Sequence, residues 1–162
     1  MADLLEVKDL TIGATVYPED GPPKDVTIVD KVSFTLGRGK VLGLIGESGA
    51  GKSTIGLAPL AYGRGGVRIT GGQVLLDGTD VLALKPSAIR KVRGAKVCYV
   101  AQSAAAAFNP AHRLGDQVAE AALRHGLLTK EKARERAKYL FDVLGLPDPD
   151  TFGKRYPHQV SG

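Results

Sequence analysis

The stretch that most limits what this chain can fold into runs from Val41 to Thr54, where the apolar run VLGLI leads straight into GESGAGKST. Gly46, four residues, then Gly51, Lys52 and Ser53 is the spacing of a phosphate-binding loop, the Walker A motif, whose context is a preceding strand and a following helix. Val41 to Ile45 suits a strand covered on both faces of a parallel sheet. Downstream, Ile55, Leu57, Ala58 and Ala61 have helical spacing, and Pro59 limits the later turns. Strand, glycine-rich loop and helix together predict an α/β chain.

The residue types in that loop fit one chemistry. A triphosphate carries several negative charges close together, and glycines let consecutive backbone N–H groups turn inward around its oxygens. The start of the helix adds about half a positive elementary charge. Lys52 brings a full charge to the β and γ phosphates, and the Ser53 hydroxyl can complete the coordination of Mg²⁺. Thr54 supplies a further hydroxyl, and Glu47, Ser48, Gly49 and Ala50 lend their backbone to the cradle. A sharp bend alone needs neither a lysine nor a hydroxyl at those positions. The loop specifies a nucleoside triphosphate but does not choose between transport ATPase, GTPase, kinase and helicase.

Elsewhere, Leu4 to Val7 and Val26 to Leu36 read as strands, joined by the turn-rich, polar YPEDGPPKD. Gln73 to Leu76 reads as a strand into a tight turn at Asp77 and Gly78, and Val97 to Val100 as a short buried strand. Residues 104 to 113 form a structured loop, because Asn109 and Pro110 stop any helix there. Two amphipathic helices follow, over Leu114 to His125 and over Lys130 to Leu144. The second has Thr129 as its N-cap, a buried face of Ala133, Ala137, Leu140, Phe141 and Leu144, and Gly145 at its end.

A net charge of +5 raises the question of an anionic partner, but the lysines and arginines are spread along the chain. In KEKARERAK acids and bases alternate, which marks a solvated helix face and not a nucleic-acid patch. The single cysteine, Cys98, sits in the apolar VCYV and reads as a buried, reduced thiol, so a cytosolic setting fits. MADLLEVKDL lacks the basic start and long apolar stretch of a signal peptide. No run reaches the roughly 20 apolar residues that span a bilayer. Membrane association is therefore expected only through a partner protein.

LLEVKDL followed by DKVSFTLGRGKVLGLIGESGAGKST resembles the start of an ABC transporter ATP-binding subunit, most closely the oligopeptide and dipeptide (peptide/nickel) importer group. The likeness implies a P-loop NTPase (RecA-like) core, preceded by an antiparallel β portion and followed by the beginning of an α-helical subdomain. It divides the chain into 1–102 and 103–162. YVAQSAAAAFNP resembles the family's Q-loop. The catalytic glutamine, which senses Mg²⁺ and the attacking water, would then be Gln102, sharing the metal with Ser53. Asn109 and Pro110 match the family's NP pair. RYPHQVSG resembles the approach to the ABC signature, so that Ser161 and Gly162 would bind the γ-phosphate held by a second subunit. The family's adenine-stacking aromatic falls by register on Ala14, and Tyr17 is the candidate to replace it.

The resemblance implies an importer subunit that couples binding and hydrolysis of ATP, with Mg²⁺, to uptake of peptides. Its partners would be a second ATP-binding subunit in a head-to-tail dimer, transmembrane permease subunits and, indirectly, a substrate-binding protein. Its place would be the cytoplasmic face of the membrane. The sequence stops within the signature, before the family's Walker B strand, catalytic glutamate and switch histidine. A fragment of a longer protein is the expectation, one that binds ATP, hydrolyses it poorly and leaves an apolar sheet edge open. Two other readings stay open: a non-catalytic nucleotide-binding or dimer-interfering module, and an unrelated P-loop NTPase betrayed by a preference for GTP.

Overall fold

A computed structural model of the chain describes residues 3–63, 65–103 and 107–160. It resolves into two compact units, Met1–Val97 and Cys98–Gly162. The first is built on a four-stranded sheet of order β2-β1-β3-β4, with β1 at Leu5–Val16, β2 at Lys24–Leu36, β3 at Val67–Leu76 and β4 at Thr79–Asp80. Every pairing is antiparallel. Between β2 and β3 lie α1 (Lys52–Leu57) and a 3-10 turn (Ala58–Leu60) that holds Pro59, and α2 (Pro86–Val92) follows β4.

Strand β1 breaks its alternation at Asp9. Val7, Leu10 and Ile12 are all buried, because Asp9 and Leu10 together stand opposite Gly72 and shift the inward positions by one. The shift needs Asp9 at φ +47° and Gly72 at φ +90°. A β-carbon at Gly72 would lie 2.5 Å from the Asp9 carbonyl oxygen and 2.6 Å from that of Lys8, so only glycine fits the bulge. Val29, Val74, Leu76, Val81, Ala58 and Ile89 complete the core of this unit. Arg93 ties α2 to the 3-10 turn by donating from Nε to the Leu60 carbonyl at 2.8 Å and from its Nη2 to that of Ala61 at 2.9 Å.

Two expected strands do not form. Val41 to Ile45 and Cys98 to Val100 belong to no strand, Val97 makes only an isolated parallel bridge with Arg93, and Val41 and Ile45 are 98% and 99% exposed. Parallel ladders join segments distant in sequence and are stable only with both faces covered. Antiparallel strands can leave one face open to water, so β1 pairs with the neighbouring β2 and with the sequence-distant β3 without such covering. Cys98 is exposed, in contrast to the buried thiol expected from VCYV, because residues 98–100 join no sheet that would cover them.

The second unit packs α3 (Leu114–Arg124), α4 (Lys130–Val143) and the short α5 (Pro149–Phe152) around Leu114, Ala137, Phe141 and Phe152. The Phe141 and Phe152 rings meet tilted, 5.1 Å between centroids. Thr129 caps α4 by accepting from the Lys132 N–H. Leu144 is 71% exposed and not on the buried face. Helix α4 ends in a Schellman motif, in which the N–H of Gly145 donates to Asp142 and that of Leu146 to Phe141, so Leu146 takes the packed place beside Phe141.

Candidate functional site

Residues 46–54 form a curled loop on the first unit. Its best-defined feature is the Lys52 ammonium, which donates to the carbonyl oxygens of Gly46 at 2.7 Å and Glu47 at 2.5 Å. The Ala50 N–H donates to the Glu47 carbonyl at 3.2 Å, tightening the turn from within. Lys52 forms no ion pair among the described residues, so the loop holds a cation by neutral carbonyls and leaves its charge uncompensated. Helix α1 begins at the same residue, with the Ile55 N–H donating to the Gly51 carbonyl at 2.9 Å.

Gly51 sets the loop's seat on the sheet. It is buried, in the left-handed region at φ +80° and ψ +4°. A β-carbon there would lie 3.0 Å from Cγ2 of Val29 and 3.5 Å from the Cγ2 and carbonyl oxygen of Ile28. The residues of β2 under the loop thus require both the conformation and the absence of a side chain that glycine provides. Ser53 is exposed and Thr54 half-buried on the first turn of α1.

The other expected site residues are placed as follows. Tyr17 is 78% exposed, immediately after β1. Ile12 pairs with Val29, which lies under Gly51, so Tyr17 is five residues, about 16 Å, further along the strand direction. Ala14 is half-buried within β1, opposite Val26 and Val67. Gln102 is exposed on a bend of the second unit, whereas Ser53 belongs to the first. Ser161 and Gly162 lie outside the described residues. The segment before them is a short 3-10 turn, Pro157–Gln159, closed by the Tyr156 N–H donating to the Gln159 side chain at 2.8 Å. There Tyr156 stacks on His158, 5.7 Å between ring centroids, and Val160 packs against the Phe141 cluster.

One residue at the start of α3 escaped the reading of the sequence. Gln117 Oε1 accepts from the Asn109 N–H at 2.8 Å, and its Nε2 donates to the carbonyls of Asn109 and His112, both at 3.0 Å. Its only sequence signal is a polar residue three positions after the buried Leu114, next to a loop rich in backbone turns.

Residues 29–162 match the family model described as ABC transporter. The chain is 35% identical over its whole length to the dipeptide transport ATP-binding protein DppD of Bacillus subtilis, covering 47% of that protein. It is 38% identical, again over its whole length, to the oligopeptide transport ATP-binding protein OppD of Mycobacterium tuberculosis, covering 26% of it. The chain thus spans about half the length of such relatives or less. Among solved structures, a dimeric bacterial ABC transporter cassette superposes with a TM-score of 0.76 at 22% identity, covering 98% of this chain and 63% of that one. A post-hydrolysis ATP-binding cassette dimer bound to ADP and Pi gives 0.73 at 20% identity. These likenesses show the fold.

Proposed function

Since the chain belongs to the ABC transporter family, we propose that residues 46–54 bind the phosphates of ATP for an importer whose cargo is peptides. The observation that carries this reading is the Lys52 ammonium, held by the Gly46 and Glu47 carbonyls inside a loop whose glycine at 51 no other residue replaces without strain. Neutral carbonyls orient a cation without neutralising it. An entering phosphate therefore meets a full positive charge together with the backbone N–H groups of the loop.

The donor set suits a magnesium nucleotide. Ser53 offers an exposed hydroxyl oxygen next to the lysine, and Mg²⁺ is bound characteristically by one or two protein oxygens together with phosphate oxygens and water. Gln102 is the second protein ligand by family likeness and the residue that senses the attacking water. Bound there, Mg²⁺ would neutralise charge on the phosphates. Lys52 orients them, Gly51 keeps the loop close against β2, and the loop backbone excludes side chains from the anion.

Peptide cargo is supported by the relatives named for dipeptide and oligopeptide transport. No helix among the described residues is long and apolar enough to cross a membrane. The partners we infer are permease subunits and a second ATP-binding subunit in a head-to-tail dimer, with Ser161 and Gly162 facing the partner's γ-phosphate and Tyr17 serving the adenine. A substrate-binding protein would deliver the cargo, and the subunit would sit on the cytoplasmic face of the membrane.

Thermal unfolding with and without Mg²⁺ and ATP tests the reading. A ligand that binds only the folded state stabilises by about 2.7 kcal/mol at one hundred times its dissociation constant. A saturable rise in the unfolding temperature that Lys52→Ala abolishes is the expected result. A cooperative transition that ATP leaves unmoved would refute the site.

A further inference from the structure

The second unit holds a cavity of about 440 Å³ between the start of α3, one face of α4 and the end of α5. Sites for small molecules are of this size, roughly 300 to 1,000 Å³. Its floor is apolar. Ala137 and Phe141 are buried there, and beside them the Gly115 N–H donates to the Gly153 carbonyl at 2.9 Å. A β-carbon on Gly115 would lie 3.0 Å from that carbonyl oxygen, and one on Gly153 would lie 3.1 Å from Cε2 of Phe141. The two glycines therefore fix how closely these elements approach, and with it the shape of the cavity.

Four exposed cations line the walls: Arg113 just before α3, Arg134 and Lys138 on α4, and Lys154 just after α5. Two acids share the lining, which leaves a surplus of two positive charges. Asp150 is taken up by Lys138 at 2.8 Å, and Asp116 stands in the first turn of α3, where the helix dipole favours an acid. Arg113, Arg134 and Lys154 form no ion pair among the described residues. Arg113 lies over the Tyr156 ring, 5.9 Å from its centroid, while Arg134 and Lys154 act on Glu131 and Asp150 through charge alone. A solvated face explains cations along one helix. It does not explain their convergence from three elements on a shared apolar floor.

We infer that this cavity binds a small organic dianion, a dicarboxylate or a phosphate monoester, whose carbon body covers Ala137 and Phe141 and whose oxygens meet Arg113, Arg134 and Lys154. An arginine fork takes a carboxylate or a phosphate by paired hydrogen bonds, and such charge-assisted bonds are the strong ones. By bringing negative charge among cations that repel one another, the ligand also relieves that repulsion.

Nuclear magnetic resonance can follow the Gly115 and Gly153 amides of the chain as glutarate or, separately, propyl phosphate is added. Saturable shifts at both glycines are expected, and the compound that causes them tells a carboxylate ligand from a phosphate one. Arg134→Gln should weaken that binding about tenfold, as for the loss of a hydrogen bond to a charged group. Lys132→Gln, at an exposed base of the same helix outside the cavity, should leave it within about twofold. Unmoved amides with both compounds would overturn the site. Equal weakening by the two variants would overturn it too, because the binding would then follow the general charge of the helix. Inorganic phosphate binding as tightly as propyl phosphate would overturn the role given to the apolar floor.

Discussion

A β-carbon on Gly51 would come to 3.0 Å from Cγ2 of Val29, so the phosphate loop and the second strand meet without room for a single methyl group. That contact seats the 46–54 loop on the second strand of the sheet. It explains why the loop keeps its curl although the residues before it, 41–45, lie outside any strand.

Gly51→Ala is expected to destabilise the first unit by about 2 kcal/mol, from the left-handed conformation together with the crowding against Val29. Urea unfolding measures the loss directly, and ATP affinity should fall with it as the loop shifts off β2. Full stability in the variant would show that the loop does not rest on Val29.

Lys52→Ala should lower triphosphate affinity by about 10- to 100-fold, the range for losing hydrogen bonds to a charged group. Helix α1 keeps its content because alanine is a good helix former. The freed Gly46 and Glu47 carbonyls are exposed and turn to water, so stability should change by no more than about 0.5 kcal/mol. Titration with ATP, alongside circular dichroism, separates the two effects. Unaltered affinity would place the phosphates elsewhere.

Gln102→Ala is expected to spare binding and strike turnover. ATP affinity should remain within about twofold, while hydrolysis by the complete protein drops at least about tenfold. Equal losses in both would make Gln102 a binding residue.

The Asp150 carboxyl is held below its ordinary value of 3.8, first by the hydrogen bond from Lys138 at 2.8 Å and then by that lysine's charge. Because the folded-state value is the lower one, the unfolded chain binds the proton more readily. The pair's stabilisation is therefore whole above the ordinary carboxylate value and fades as the pH falls through the folded one. Asp25, bonded by Thr15 and Arg68, follows the same sign. Both sites are exposed, so the effect is small and weakens with salt. The gap in unfolding temperature between the parent chain and Asp150→Asn should stay constant above about pH 5 and shrink as the pH falls below the ordinary carboxylate value. A gap that widens on acidification would contradict the pairing.

What could be read without coordinates was whatever depends on local chemistry. The Walker A spacing from Gly46 to Ser53, the hairpin strand ending at Leu36, the Thr129 cap and the terminating Gly145 all act within a few residues of themselves. The resemblance in GESGAGKST, YVAQ and RYPHQVSG carried the family, and the match over residues 29–162 agrees. Local pattern misled where burial was inferred from hydrophobicity alone. VLGLI, VCYV and Leu144 are apolar, yet VLGLI joins no strand, VCYV keeps only the isolated bridge of Val97 to Arg93, and Leu146 takes the place that Leu144 was expected to fill.

The sequence by itself thus determined that a loop of Walker A spacing leads into a helix at Lys52, because that spacing and its residue types are specified position by position. Only the tertiary structure decided that Gly51 rests on Val29, that a bulge at Gly72 turns Leu10 inward, and that Gln117 bonds across the 109–112 turn. Each of those joins residues well apart along the chain or depends on a side chain's direction. Hydrophobic spacing can place a residue on a face, but which group it meets there is set by packing between elements.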